Sequence, residues 1–322
     1  MNTNPVSATN FYVSLKSKPL ILLVGPDKNR SKETFVEQVA ASWVETPTQF
    51  QRMAGHAWWA AGSAAVCQWS TLQAQFNAEK FFAVVEEACQ PENQGRAFFL
   101  CLEDLSPAEL LAYFSSRSFQ AVPGERLLDP GLADPIPYPP NLFVIGTMNA
   151  ARFPGYDGDL LQHTTVIHAP ELELMPSNGA SHPVRWLEDP KTLLHGRVRD
   201  EDTACTRLRY LPGWQTRAMR PALEIAGVML KQGCSLPTRQ MAADVLIYLS
   251  NAWSAQSKGL FACTFPFNLE MALDYAILQY IFPHAWEEIS RSPRLRQQLL
   301  QALDGHFPRC QAWLHQWDGL GQ

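Results

Sequence analysis

Residues 18–43, KPLILLVGPDKNRSKETFVEQVAASW, constrain the fold more than any other stretch. Leu20 to Val24 is a short, continuous apolar run rich in branched residues, which predicts a strand covered on both faces. Gly25-Pro26 ends it. From Phe35 onward, Phe35, Val36, Val39, Ala40 and Trp43 fall at helical spacing. A buried strand, a Gly-led polar loop and a helix N-terminus together make the supersecondary unit of a phosphate-binding loop.

The loop departs from the pattern of Gly, four residues, then Gly-Lys-Ser/Thr. Counted from Gly25, Arg30 stands at the second glycine, Ser31 at the lysine and Lys32 at the hydroxyl. With a loop one residue longer, Lys32 becomes the phosphate lysine and Phe35 and Val36 keep their core positions. That register is preferred, although it puts Glu33 where a hydroxyl would hold Mg²⁺, as an exposed carboxylate that repels phosphate. Gly25, Lys28, Arg30, Ser31 and Lys32 are therefore the candidate nucleotide-binding residues of an altered loop. The competing reading is an ordinary strand-turn-helix of an α/β protein.

A chain of 322 residues has room for a large domain and a smaller one. With 46% hydrophobic and 18% charged residues it is globular rather than disordered. Its net charge of −5 argues against a broad nucleic-acid-binding face, though not against a local basic groove. No apolar run is long enough to span a bilayer, and MNTNPVSATN lacks a charged-then-apolar leader. The 7 cysteines are scattered and odd in number, with no CxxC, as reduced thiols of a cytoplasmic protein would be. The histidines show no HxxxH-type metal spacing, and His163 and His168 merely flank a strand.

Along the chain, FYVSLKS (11–17) reads as an opening helix or strand, and residues 44–75 carry no clear pattern. Phe76 to Cys89 is an amphipathic helix, and Ala97 to Leu102 a second buried strand that ends in Glu103-Asp104. Ser106-Pro107 opens a helix running over Ala108 to Phe119. Residues 121–140, rich in Pro and Gly, read as loop. Asn141 to Gly146 is a third buried strand leading into Thr147-Met148-Asn149, and Thr164 to Ala169 a fourth. Alternating strands and helices imply a mainly parallel sheet with helices on both faces, an αβα sandwich over 1–175. Ligands of such sheets bind beyond the carboxyl ends of the strands. The 28–33 loop, Glu103-Asp104 and Asn149 all fall there. Residues 176–215 read as a loop-rich connector holding several of the arginines 197, 199, 207, 209, 217 and 220. Residues 216–322 form a helical domain, with helices over Thr216–Gln232, Pro237–Gln256, Asn268–Pro283 and Ser292–Gln316.

This order resembles that of AAA+ ATPases, and in detail the McrB-type branch of modification-dependent restriction systems. FFLCLEDLSPAELLAYFSS (98–116) resembles that branch's strand, acidic pair and helix. PPNLFVIGTMNA (139–150) is the closest match. LPTRQMAADVLIYLSNAW (236–253) and MALDYAILQYIFPHAW (271–286) resemble two helices of its lid domain. The resemblance implies a P-loop NTPase-like αβα domain followed by an all-helical AAA+ lid. It implies that Lys32 contacts the β- and γ-phosphates of ATP or GTP. Glu103 takes the place of the aspartate that holds Mg²⁺, and Asp104 that of the glutamate that activates water. Asn149 matches the sensor near the γ-phosphate, and Arg239 the lid arginine that turns toward the phosphates.

The departures from the family are as informative. The acidic pair is reversed, and a misplacement of about one methylene can cost about 100-fold in rate. Arg152-Phe153 stand where the family has Asp-Arg. Phe153 to Val184 contains no arginine, so the arginine finger, which contributes about 10³–10⁵-fold, has no counterpart. His163 cannot replace its guanidinium. The first strand begins near Leu20, which leaves no room for the branch's N-terminal recognition domain. The resemblance thus implies a degenerate subunit, with nucleotide and Mg²⁺ held weakly or not at all and little or no hydrolysis. Its partners would be other AAA+ or defence-complex subunits, with nucleic acid met through the complex and no membrane. Two alternatives stay open: a working ATPase or GTPase of unusual geometry, and a DNA-handling module that uses the 197–220 arginines.

Overall fold

A computed structural model describes residues 2–3, 5–25, 31–54, 71–107, 109–110, 119–122, 125–128, 136–156, 158–168, 174–175, 193–194, 196–211, 213–254, 256–303 and 305–316. The chain divides into two compact units, 1–154 with 159–195, and 155–158 with 196–322.

The first unit is built on five strands: β1 (Leu20–Gly25), β2 (Phe50–Ala54), β3 (Phe98–Glu103), β4 (Leu142–Asn149) and β5 (Thr164–His168). They pair in the order β2-β3-β4-β1-β5, all parallel. The continuous apolar runs explain the central positions, because every residue of β1 is buried. Around the sheet lie α1 (Pro5–Ser17), α2 (Ser31–Ala40), α3 (Thr71–Cys89) and the short α4 (Gly158–His163).

Side chains alternate across a strand, so Phe99, Cys101 and Glu103 share one face of β3. That face carries a column of rings. Tyr12 of α1 lies 5.4 Å from Trp43, Trp43 stacks on Phe99 at 5.8 Å, and Phe99 stacks on Phe143 at 5.3 Å. The column seats α1 and the C-terminal end of α2. The β1→β2 connection runs one way along the sheet and β2→β3 returns, so right-handed crossovers place α2 and α3 on opposite faces. Asn141 ties the start of β4 to the end of α3, donating to the carbonyls of Ala88 (3.1 Å), Asn93 (2.8 Å) and Arg96 (3.0 Å).

Several sequence expectations are corrected. The unassigned stretch 44–75 contains β2, an edge strand, whereas its residues 55–70 lie outside the described set. Residues 121–140 are not simply loop, because Phe119–Val122, Glu125–Leu128 and Ile136–Pro137 pair as a small antiparallel sheet. Pro137 is accommodated because its strand is an edge. Phe119 therefore begins a strand rather than ending a helix. The helix start itself is as read, with a reciprocal capping box: the Ser106 N–H donates to Glu109 at 2.7 Å and the Glu109 N–H to Ser106 at 3.3 Å. Residues 111–118 are outside the described set.

The second unit is helical, with α5 (Glu201–Arg209), α6 (Arg220–Lys231), α7 (Thr238–Asn251), α8 (Phe265–Tyr280), α9 (Trp286–Arg291), α10 (Pro293–Leu303) and α11 (Pro308–His315). The stretch read as a connector thus contains a helix, α5, capped by Asp200 through the Thr203 N–H at 2.8 Å. The single helix read over 292–316 is two. Gly305 and Phe307 take φ of 72° and 60° between them, and Pro308 then opens α11. Buried Asp274 caps α11 through the N–H groups of Arg309 and Cys310, both at 3.0 Å. Asn251 clamps Val198 with two 2.9 Å bonds to its N–H and C=O. No helix among the described residues is long and apolar enough to cross a membrane.

The ring column generates a test. Trp43→Ala leaves a cavity against Tyr12 and Phe99 and is expected to cost about 3–5 kcal/mol. Urea unfolding of the first unit, followed by near-UV circular dichroism, measures it. A loss below about 1 kcal/mol would mean that the column does not seat α1 and α2.

Candidate functional site

The connections leaving β1 and β4 run in opposite directions along the sheet, so the crevice beyond their carboxyl ends is the topological switch point. Gly25 and Asn149 are register partners there. Glu103 ends the next strand, β3, and α2 begins at Ser31 on the same side. Gly25, Ser31, Lys32, Glu103, Asp104 and Asn149 are thus brought together by topology. Lys28 and Arg30 lie outside the described residues. Arg239 belongs to the helical unit, as an exposed residue in the first turn of α7.

The first turn of α2 carries two buried charged residues, Lys32 at 3% exposure and Glu33 at 6%. Lys32 Nζ donates to the Gly25 carbonyl at 3.3 Å, folding the side chain onto the end of β1. Glu33 is not the exposed carboxylate that the sequence suggested. Its Oε1 accepts the Thr147 hydroxyl at 2.5 Å. The same Thr147 oxygen accepts the Asp104 N–H at 3.0 Å. One fully buried hydroxyl therefore joins α2 to β4 and to the turn after β3. The reason lies in direction. The residue next to Lys32 faces the sheet, where a carboxylate survives burial only with a strong donor.

The acidic pair is equally committed. Arg52 Nε donates to Glu103 Oε1 at 2.5 Å while its Nη1 reaches Glu37 Oε2 at 2.9 Å. Burial alone would lower the Arg52 pKa, and Glu103 with Glu37 reverses this and raises it. Asp104, at 62% side-chain exposure, is ion-paired with Arg152. It sits at φ 53°, a left-handed conformation that aspartate tolerates better than most residues. Asn149 accepts the Ala151 N–H at 2.8 Å and so caps the turn Ala150–Arg152, which presents Arg152. Burial first, then the charges of Glu103 and Glu33, push the Cys101 thiol well up. The strand beneath α2 thus senses this cluster.

Two of the residues that organise the site were not candidates. Arg52 lies 51 residues from its partner, in a stretch with no local pattern, and no sequence signal marks it. Thr147 was legible only as part of the strand-end Thr-Met-Asn. Arg152 had been noted as a departure, and its use here is to neutralise Asp104.

Mg²⁺ wants several oxygen ligands in near-octahedral array. The residues present do not fit it. Glu103 and Asp104 each hold a guanidinium, and the third carboxylate, Glu33, is turned inward to Thr147. Among the described residues, no group of three or more His, Cys, Asp or Glu is placed to hold a metal ion. No protein-family model, curated protein or solved structure matches this chain.

Two outcomes follow from this geometry. Thr147→Val strips the donor from a buried carboxylate and the acceptor from the Asp104 N–H, and is expected to cost about 3 kcal/mol, against under about 1 for Thr147→Ser. Urea denaturation of the pair decides it, and equal losses would sink the account. At the end of β5, burial holds His168 down to about 4 from the ordinary 6.5. Its folded pKa lies below its unfolded one, so the stability it leaves intact above about pH 6.5 is lost as pH falls toward 4. NMR titration of the His168 ring checks this, and a midpoint near 6.5 would refute it.

Proposed function

We propose that the chain is a degenerate P-loop NTPase-like subunit that binds nucleotide at best and hydrolyses it little or not at all. In this reading it is an assembly or regulatory component, akin to the McrB-type AAA+ proteins that its sequence resembles, in a bacterial restriction or anti-phage defence complex. One observation carries the reading most. Gly25 and Asn149 pair across the switch point, with Lys32 in the first turn of the following helix. The parallel five-stranded sheet is compatible with such a sandwich.

What argues for lost turnover is the fate of the charged groups. A water-activating carboxylate needs a free oxygen aimed at the reacting water, whereas Asp104 is turned onto Arg152. Asn149 spends its acceptor on the Ala151 N–H. A transition state would therefore meet Glu33, Glu103 and Asp104 already bound, and 153–184 holds no arginine to act as a finger; electrostatic stabilisation is the largest part of phosphoryl transfer catalysis.

Of the six arginines behind the DNA-handling alternative, two are engaged within the helical unit, the first being Arg207. That guanidinium is bound to the carbonyls of Gly196 (3.3 Å), Trp253 (3.1 Å) and Ser254 (2.7 Å), holding the helical unit together. Arg220 pairs with Glu224 along its own helix.

The test is a paired measurement. The purified chain should show no ATP or GTP hydrolysis above background, while calorimetry detects nucleotide binding that Lys32→Ala weakens by about tenfold or more. Robust turnover that Asp104→Asn abolishes would overturn the degenerate reading. Absence of any binding heat would remove the nucleotide from it.

A further inference from the structure

The carboxylates at the end of β3 are bound by cations supplied from outside the stretches that carry the family resemblance. Arg52 comes from edge strand β2, and Arg152 from the turn that Asn149 caps. Arg52 bridges Glu103 and Glu37, so it crosslinks the strand end to α2 at 2.5 Å and 2.9 Å. It is further fixed through its own carbonyl, which accepts Lys80 Nζ from α3 at 2.7 Å. Its placement is thus built in from both faces of the sheet. Arg152 closes on Asp104 next to it.

A guanidinium and a divalent cation compete for the same carboxylate oxygens. Arginine is permanently charged and cannot be displaced by deprotonation. A metal would have to pull Glu103 off a guanidinium that also serves Glu37, and then sit a few ångströms from that positive charge. Glu33 offers no substitute ligand, because its carboxylate is buried against Thr147.

We propose that Arg52 and Arg152 stand permanently where a divalent cation would act, so that the site excludes metal and takes its phosphate ligand as the metal-free anion. The inference rests on the reading of these strand ends as a nucleotide site. Its ligand class is a nucleoside triphosphate, or another polyphosphate, bound without Mg²⁺ through Lys32 and the strand-end backbone. Such a site responds to the metal-free polyphosphate alone, and it has no metal with which to hydrolyse it.

The test separates metal from nucleotide. Mn²⁺, as a divalent probe, is titrated calorimetrically into the full chain without nucleotide: wild type, Arg152→Met, and the double variant Arg52→Met/Arg152→Met. ATP is then titrated into wild type in excess EDTA and in excess Mg²⁺. Wild type should take up no Mn²⁺ below millimolar concentrations, and its apparent ATP affinity should fall by about tenfold or more in excess Mg²⁺, which withdraws the free anion into MgATP; equal affinity in the two buffers overturns the metal-free ligand. Removing the guanidiniums should tighten Mn²⁺ binding by about tenfold or more, and Glu103→Gln on that background should abolish the gain. Arg152 is in an exposed pair, so Arg152→Met keeps its fold. If the double variant loses its circular dichroism signal, the single variant must show a gain by itself. Micromolar Mn²⁺ binding by wild type that Glu103→Gln removes overturns the proposal. So do folded arginine variants that bind Mn²⁺ no better than wild type. Missing ATP heat throughout sinks the nucleotide reading instead, and the Mn²⁺ titrations still decide whether the arginines replace a metal.

Discussion

The Thr147 hydroxyl is the point on which this end of the sheet depends. A carboxylate buried without a donor costs several kcal/mol, so Glu33 can face the sheet only where a hydroxyl meets it. That meeting fixes the rotation of α2, because a helix that turned by one residue would carry Glu33 away from β4. The rotation in turn sets Lys32 against the Gly25 carbonyl and Phe35 and Val36 in the core. The hydroxyl's other bond, from the Asp104 N–H, holds the backbone where the chain leaves β3. One side chain thus couples the helix register, the lysine position and the turn that carries the acidic pair.

Among the described residues, the charged side chains at these strand ends are bound to one another or to Thr147. Glu37, Arg52 and Glu103 form one chain of charge-assisted bonds, while Glu33, Thr147 and the Asp104 backbone form another. Asp104 and Arg152 complete the set at the surface. A catalytic site keeps donors and acceptors free and aimed at a reacting group, at a cost in stability. Here the same residue types have been turned on one another, and partly buried ion pairs of this kind resist loss of either partner because the remaining charge is stranded.

The parts of the fold that were legible are those whose signal is local. β1, β3 and β4 are continuous apolar runs because both their faces are covered, and the sequence shows this directly. The amphipathic stripe of α3 and the capping box at Ser106 and Glu109 are similarly local. β2 was illegible for the opposite reason. FQRMA is an edge strand with one buried residue, and what makes it a strand is pairing with β3 and the reach of Arg52 to Glu103. Neither is visible within a window of a few residues. The same applies to Glu33, whose inward direction depends on a threonine 114 positions away. For Gly25, Ser31, Lys32, Glu103, Asp104 and Asn149 the place at the strand ends could be read from the sequence, but the partners that set their chemistry could not.

The order of the acidic pair, glutamate then aspartate, has a physical reason in the backbone. Residue 104 is held at φ 53° because its N–H must reach Thr147 while the next residue turns back, with the Leu105 N–H donating to the Thr147 carbonyl at 2.8 Å. The left-handed region is costly for most side chains, and Asn and Asp visit it most readily after Gly. A glutamate at 104 would be strained, whereas aspartate fits. Residue 103 faces the opposite demand. It ends its strand on the face shared with Phe99 and Cys101, and must reach a guanidinium anchored on the neighbouring edge strand. The longer glutamate supplies that reach. The order Glu103-Asp104 is thus what this turn and this ion pair require.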